Sequence, residues 1–159
     1  MQVELAPFLA EHGQQVLSWL GSPAEARRWA SLDAVPDDAG VFERWHAQPW
    51  VHPHVAVADG TVVGYGEVWT DEEEDEAELA RLIVDPVLRG RGIGRRLAGL
   101  LSERAAALGF DEIWLRVAPD NDAAIGCYRS AGFVRAAAEQ EHEFNAGQPQ
   151  PYVWMRRAA

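Results

Sequence analysis

One stretch, from Glu78 to Leu108, constrains the fold of this chain more than any other. It begins with a short apolar run that predicts a buried strand, which ends at Asp85-Pro86 because proline cannot donate a hydrogen bond to a sheet. From Ile93 onward the apolar residues recur at the spacing of one helical face. The pattern therefore predicts a strand, a tight loop and an amphipathic helix in direct succession.

The loop between strand and helix is rich in glycine and arginine, with the sequence Arg89-Gly90-Arg91-Gly92-Ile93-Gly94. Glycine permits left-handed backbone angles, so successive N–H groups can converge on one anion. The helix that follows begins with unpaired N–H groups and the positive end of its dipole. Arginine side chains add donors suited to phosphate oxygens. We therefore predict a pyrophosphate site at the start of this helix.

Two familiar phosphate motifs do not match this loop. A P-loop ends in Gly-Lys-Ser/Thr, and the chain contains no lysine; the dinucleotide pattern GxGxxG fails because the glycines are spaced GxGxG. The pattern R-x-x-G-x-G at Arg89, Gly92 and Gly94 instead resembles the acyl-CoA loop of the GNAT superfamily of N-acetyltransferases. The simpler alternative is an arginine-rich turn into a surface helix.

The resemblance implies a fold and a cosubstrate. The fold would be of the α/β (α+β) class, with a mixed, mostly antiparallel sheet of about seven strands and helices on both faces. The cosubstrate would be acetyl-CoA, and no metal would be needed. In this family a bulge in the fourth strand frees backbone groups for the pantetheine arm. The residues expected to bind the cosubstrate here are Leu82, Ile83, Val84, Arg89, Gly90, Arg91, Gly92, Ile93, Gly94 and Arg95.

A second motif supports the same resemblance. The family pattern N-x-x-A-x-x-x-Y-x-x-x-G-F is complete between Asn121 and Phe133. By resemblance, Asn121 and Ala124 would contact the pantetheine arm and the Tyr128 hydroxyl would lie near the CoA sulfur. A thiolate leaving group benefits from a nearby proton donor, so Tyr128 is the expected general acid. The alternative is that Tyr128 is only a core aromatic residue with its hydroxyl near the surface.

Two glutamates are candidates for the base that deprotonates the attacking amine. Glu78 opens the fourth strand at the position of the glutamate base in the histone-acetylating branch of the family, and Glu67 on the third strand is the second candidate. Ordered water takes this role in many relatives, and Glu78 also continues the acidic run before it. The choice stays open at this point.

The aromatic residues of the first third suggest where an acceptor could bind. Aromatic faces attract ammonium groups, although such clusters more often form core packing. We take Trp29 and Trp45 of this region, together with Trp69 on the third strand, as the expected acceptor contacts. The acceptor itself, a small polyamine, an aminoglycoside-like or amino-acid amine or a protein amine, stays open.

Composition narrows the class of partner. A net charge of −11 argues against nucleic acid, and no apolar stretch is long enough to cross a membrane. The single Cys127 fits a reducing cytoplasm. His52 and His54 lack a third ligand for a metal.

We expect a single domain over residues 1–159, with exposed final strands that leave room for a homodimer. The rival function is a non-catalytic acyl-CoA-binding sensor.

The remaining elements follow from local signals. Ser22 and Pro23 predict the start of a helix, and Asp59-Gly60 predicts a hairpin between strands at His54–Ala58 and Thr61–Thr70. After the Asn121 motif we expect a long strand over Phe133–Phe144 and a last strand over Tyr152–Arg156.

Overall fold

The computed structural model describes residues 1–158. Their seven strands are β1 (Glu4–Pro7), β2 (Val51–Ala58), β3 (Thr61–Asp71), β4 (Glu76–Val84), β5 (Glu112–Val117), β6 (Phe133–Arg135) and β7 (Val153–Arg157). Their six α-helices are α1 (Gly13–Ser18), α2 (Pro23–Ala30), α3 (Gly40–His46), α4 (Ile93–Ala107), α5 (Asp122–Ser130) and α6 (Ala138–Asn145).

The strands form one mixed sheet in the order β1-β2-β3-β4-β5-β7-β6. Only β4 and β5 pair in parallel, and every other neighbouring pair is antiparallel. The long helix α4 is the crossover that this parallel pair requires. The predicted mixed, mostly antiparallel sheet of seven strands is confirmed.

Two apolar clusters cover the two faces of the sheet, because successive side chains of a strand point to opposite faces. On one face, Val68, Leu79 and Leu115 pack in the same cluster as Leu97 and Leu101 of α4. On the other face a second cluster joins helices α1 to α3 to the first strands, through Val16, Leu17, Phe42, Val55, Tyr65 and Ile83. Helices therefore lie on both faces, as predicted.

Several local predictions are confirmed. The Ser22 side chain accepts a hydrogen bond from the Glu25 amide at 3.2 Å, and Pro23 opens α2. The predicted hairpin is present between β2 and β3, with Asp59 and Gly60 at φ values of 50° and 77°, as a two-residue hairpin turn requires. Strand β2 begins at Val51, earlier than predicted.

The predicted long strand over Phe133–Phe144 is wrong. Strand β6 ends at Arg135, which pairs with Met155, and helix α6 follows from Ala138. The residues after β6 are mostly alanine, glutamate and glutamine, which favour helix over strand. Asn145 at the end of α6 exchanges two hydrogen bonds with the Tyr152 backbone at 3.0 Å, and these contacts fasten the helix beside β7.

The helical segment before Ser22 is divided into a 3-10 turn at Ala10–His12 and the short α1. Among the helices of residues 1–158, none is long and apolar enough to cross a membrane.

Candidate active site

The loop before α4 has the backbone that an anion site needs. Gly90 and Gly92 have φ values of 80° and 83°, and Gly92 lies directly before the helix. Within residues 1–158, the backbone N–H groups from Gly90 to Arg95 donate no hydrogen bond. These free donors lie at the positive end of the helix dipole, which is the arrangement that binds phosphate groups.

A cavity of about 770 Å³ adjoins this loop, a volume typical of small-molecule sites. We call it the cosubstrate cavity. Twelve of the thirteen residues predicted to bind the cosubstrate line it, and Arg91 is the one that does not. The Arg89 and Arg95 side chains at its rim are exposed. The structure therefore gathers residues from β4, the loop, α4 and α5 around one space.

The two parallel strands separate where they reach this cavity. Strand β4 pairs with β5 only from Glu76 to Leu79, although it continues to Val84. A bulge in β4 accompanies the separation, because Tyr65 pairs with Ile83 whereas Glu67 pairs with Ala80. Arg81, within the bulge, has a φ of 52°, and bulges of this kind bend and twist a strand. The opening leaves the β5 side of Leu82 and its neighbours free for an extended ligand.

Helix α5 places two predicted residues on the cavity. Asn121 caps the helix, and its Oδ1 accepts a hydrogen bond from the Ala124 amide at 3.3 Å, which leaves the side-chain NH2 group free to donate to a ligand. Burial raises the pKa of Tyr128, with a smaller contribution from Cys127. The Tyr128 hydroxyl is therefore protonated at neutral pH, as a proton donor must be.

Cys127 has a packing role at the contact of α4 and α5. Its Sγ would lie 3.1 Å from a β-carbon at Gly94, so glycine is required there for the two helices to approach. Burial raises the pKa of the Cys127 thiol, which keeps it in the unreactive thiol form.

Glu67 is fully buried and surrounded by donors. Its carboxylate accepts hydrogen bonds from the Tyr65 hydroxyl, from Trp69 Nε1 at 2.8 Å and from Arg81 Nη1 at 2.7 Å. Its exposed fraction is 0%. Its oxygens are therefore occupied by protein donors.

Glu78 is paired with Arg116 of β5. Arg116 Nε and Nη2 donate to the two carboxylate oxygens at 2.7 Å and 2.9 Å, in the fork geometry that arginine favours. Arg116 lines the cosubstrate cavity, and Glu78 lines a second cavity on the other side of the pair. Glu78 therefore lies where the two spaces meet.

The predicted acceptor tryptophans surround Arg81. The Arg81 guanidinium carbon lies 3.8 Å from the ring centre of Trp45 and 4.9 Å from that of Trp69. Trp29 Nε1 donates to the Arg81 carbonyl at 2.7 Å. The rings of Trp45 and Trp69 thus contact a cation of the protein itself, whereas Trp29 contacts the backbone of the same residue.

Sequence reasoning missed Arg81 and Arg116. Each is the one basic residue of a mostly apolar strand, EAELARLIV for β4 and EIWLRV for β5. A charged side chain in such a run needs a partner when it is buried. That signal indicates a polar contact but does not identify which carboxylate provides it.

A loop with free amides lies at the start of α4, next to a gap between two parallel strands. This combination is the site of an acyl-CoA-dependent acyltransferase. The chain belongs to the acetyltransferase (GNAT) family, whose model matches residues 14–133. It is therefore an enzyme of the acetyltransferase class, and the resemblance found in the sequence is confirmed.

Three individual comparisons agree with this assignment. The chain is 38% identical to the N-alpha-acetyltransferase RimI of Mycobacterium tuberculosis over 127 residues, which cover 75% of this chain and 78% of that protein. It is 33% identical over 160 residues to an uncharacterised protein of Mycobacterium leprae, which covers 96% of this chain but only 43% of that protein. The structure of AAC(6')-Ib with paromomycin and acetyl-CoA has a TM-score of 0.79 at 23% identity and covers 99% of this chain and 94% of that chain. This likeness shows that the fold is the GNAT fold.

Proposed function

We propose that this enzyme transfers the acetyl group of acetyl-CoA to a primary amine by direct attack within a ternary complex. The observation on which this depends is the set of free amides from Gly90 to Arg95 beside the gap between β4 and β5. A diphosphate bound there would direct a thioester into that gap. The complex of AAC(6')-Ib with acetyl-CoA, a protein of the same fold, supports the choice of cosubstrate.

Each part of acetyl-CoA has expected partners. The diphosphate would accept hydrogen bonds from the loop amides and from Arg89 and Arg95. The pantetheine arm would pair with the backbone of Leu82–Val84 and accept a hydrogen bond from the Asn121 amide. An N–H of the parted strand would stabilise the charge that develops on the thioester oxygen.

The reaction then forms one bond and breaks another. The amine nitrogen attacks the thioester carbon, the C–N bond forms, and the C–S bond breaks to release CoA. Tyr128 donates its proton to the departing sulfur, and the amine loses a proton to a base. Holding both reactants in line supplies much of the acceleration.

We propose Glu78 as this base, acting directly or through water. Glu78 borders the cavity opposite the cosubstrate, whereas Glu67 is 0% exposed and lines neither of the two cavities. Glu67 then serves to hold Arg81 in place. Trp69 lines the same cavity as Glu78 and is therefore the predicted tryptophan nearest to an incoming acceptor. The cytoplasm, which the lone cysteine favours, is part of this proposal.

The test is an assay of CoA thiol release from acetyl-CoA with a panel of amines. The variant Tyr128→Phe should lower kcat by about a hundredfold or more, because general acids contribute roughly 10²–10⁴-fold. Acetyl-CoA at 100 times its Kd should still stabilise the variant by about 2.7 kcal/mol in a thermal-shift titration. The matched control is Tyr152→Phe, which removes a hydroxyl that lies 3.3 Å from Ser31 Oγ, outside both cavities.

Two results would contradict the proposal. Binding of acetyl-CoA without turnover of any amine would favour the sensor. The absence of any thermal shift at millimolar acetyl-CoA would indicate that the loop does not bind the cosubstrate at all.

A further inference from the structure

A second cavity, of about 740 Å³, lies on the face of the sheet opposite α4. We call it the acidic groove and define it by six lining residues: Trp50, Trp69, Glu72, Glu76, Glu78 and Trp114. Its volume suits a small molecule.

The acidic groove reaches the reaction centre from the side opposite the cosubstrate. Glu78 belongs to the groove, and its partner Arg116 lines the cosubstrate cavity. Trp69 lines the groove and lies 5.8 Å from the Arg116 guanidinium carbon. A molecule in the groove would therefore meet the thioester across the Glu78–Arg116 pair.

The carboxylates farther along the groove lack cations. Among residues 1–158, neither Glu72 nor Glu76 forms a salt bridge. Burial, together with the negative charges of Asp71 and Glu74, raises the pKa of Glu76. A bound cation would relieve this repulsion between like charges.

Two further features of the groove point to a ligand. Trp114 is only 4% exposed, and its Nε1 has no hydrogen-bond partner within the described residues 1–158. A buried donor without a partner costs roughly 1–3 kcal/mol, so an oxygen atom of a ligand would stabilise the protein by accepting from this N–H, whereas an ammonium group, which only donates, would not. Trp50 is 41% exposed, and its ring can bind an ammonium group through its face.

At the reaction centre itself, by contrast, the charges are already balanced. Arg116 is paired with Glu78, and Arg81 is paired with Glu67. The attacking nitrogen must be uncharged, so it gains little from carboxylates at that point. Carboxylates away from the centre can instead attract another charge on the same molecule.

We propose that the acidic groove binds a second ammonium group of the acceptor, and that the acceptor is a small amine with two or more positive charges. This inference rests on the proposed function and specifies its substrate class. Glu72 and Glu76 would bind the second cation, while the attacking nitrogen lies next to Glu78.

The experiment measures binding and turnover separately. Spermidine, propane-1,3-diamine and propylamine are titrated by calorimetry into the protein saturated with CoA, and the same amines are assayed with acetyl-CoA. The two amines with several charges should bind at least about tenfold more tightly than propylamine, since one hydrogen bond to a charged group contributes about 1.5–3 kcal/mol. Rising salt should weaken their binding.

The variants are Glu72→Gln and Glu76→Gln, with Glu103→Gln as the matched control. Glu103 is an exposed carboxylate of α4, on the opposite face of the sheet. The groove variants should each weaken spermidine binding about tenfold and leave propylamine and acetyl-CoA within about twofold. The control should change none of the three. Glu76→Gln removes repulsion between carboxylates, so a folded variant is expected.

The outcomes separate this inference from the proposed function. Equal binding of spermidine and propylamine, or equal loss in Glu76→Gln and Glu103→Gln, would overturn the inference even if acetyl transfer occurs. Acetylation of a neutral tripeptide with kcat/KM above that of both charged amines would also overturn it. Groove-dependent spermidine binding without turnover would support the inference and count against the proposed function.

Discussion

Replacing Arg81 with methionine should lower the free energy of unfolding by about 3 kcal/mol, because the change leaves a buried carboxylate without its cation. Glu67 is 0% exposed, and Arg81 is its only charged partner within residues 1–158. Breaking a buried pair costs roughly 3–5 kcal/mol. The Arg81 side chain keeps an exposure of 17%, so we take the lower end. Methionine and arginine are similarly disfavoured at a left-handed φ of 52°, so the change removes chiefly the ion pair and the contacts of the guanidinium with Trp45 and Trp69.

The assay is urea unfolding at pH 7, with the melting temperature as a second measurement. A loss of about 3 kcal/mol corresponds to a decrease of roughly 9 °C for a domain of this size. Glu67→Leu alone should also be costly, whereas the double variant Arg81→Met with Glu67→Leu should cost less than either single change.

A matched control is available on the surface. Arg135, which is 60% exposed, pairs with Glu141 at 2.7 Å, and Arg135→Met should cost less than about 1 kcal/mol. If Arg81→Met and Arg135→Met prove equally mild, or if the double variant costs the sum of its singles, the assignment of Glu67 as a buried anchor is refuted.

Two further predictions concern the loop and acid stability. Gly92→Ala should lower the free energy of unfolding by about 1–2 kcal/mol and raise the KM for acetyl-CoA, because alanine is strained at a φ of 83°. Gly99→Ala inside α4, where no atom lies within 4 Å of the new β-carbon, should instead raise the free energy of unfolding by up to about 1 kcal/mol. Equal effects of the two variants in urea unfolding and in kinetics would contradict this prediction. Burial lowers the pKa values of His46, His52 and His54. The unfolded chain takes up protons near pH 6.5 while the folded chain resists them, so the free energy of unfolding should fall as pH drops from about 7 to 5. His54→Gln should make that fall shallower, and an unchanged slope would exclude His54 as a contributor.

Local backbone chemistry was predictable wherever one or two residues determine it. Ser22 with Pro23 starts a helix, Asp59 with Gly60 closes a hairpin, and the glycines before α4 take left-handed angles. These features depend on backbone angles and nearest neighbours, which the sequence specifies directly. The prediction over Phe133–Phe144 failed because it did not take into account the helix propensity of the alanine, glutamate and glutamine residues that follow Arg135.

The same difference between local motifs and distant contacts applies to the candidate site. The sequence by itself determined the glycine-rich loop before α4 and the motif that contains Asn121 and Tyr128, because each lies within one short stretch of the chain. Only the tertiary structure decided which carboxylate pairs with which arginine. Glu78 meets Arg116 across 38 positions of sequence, and Glu67 meets Arg81 across 14. Those partners depend on strand register and on the bulge in β4, and register is an outcome of how the whole sheet packs.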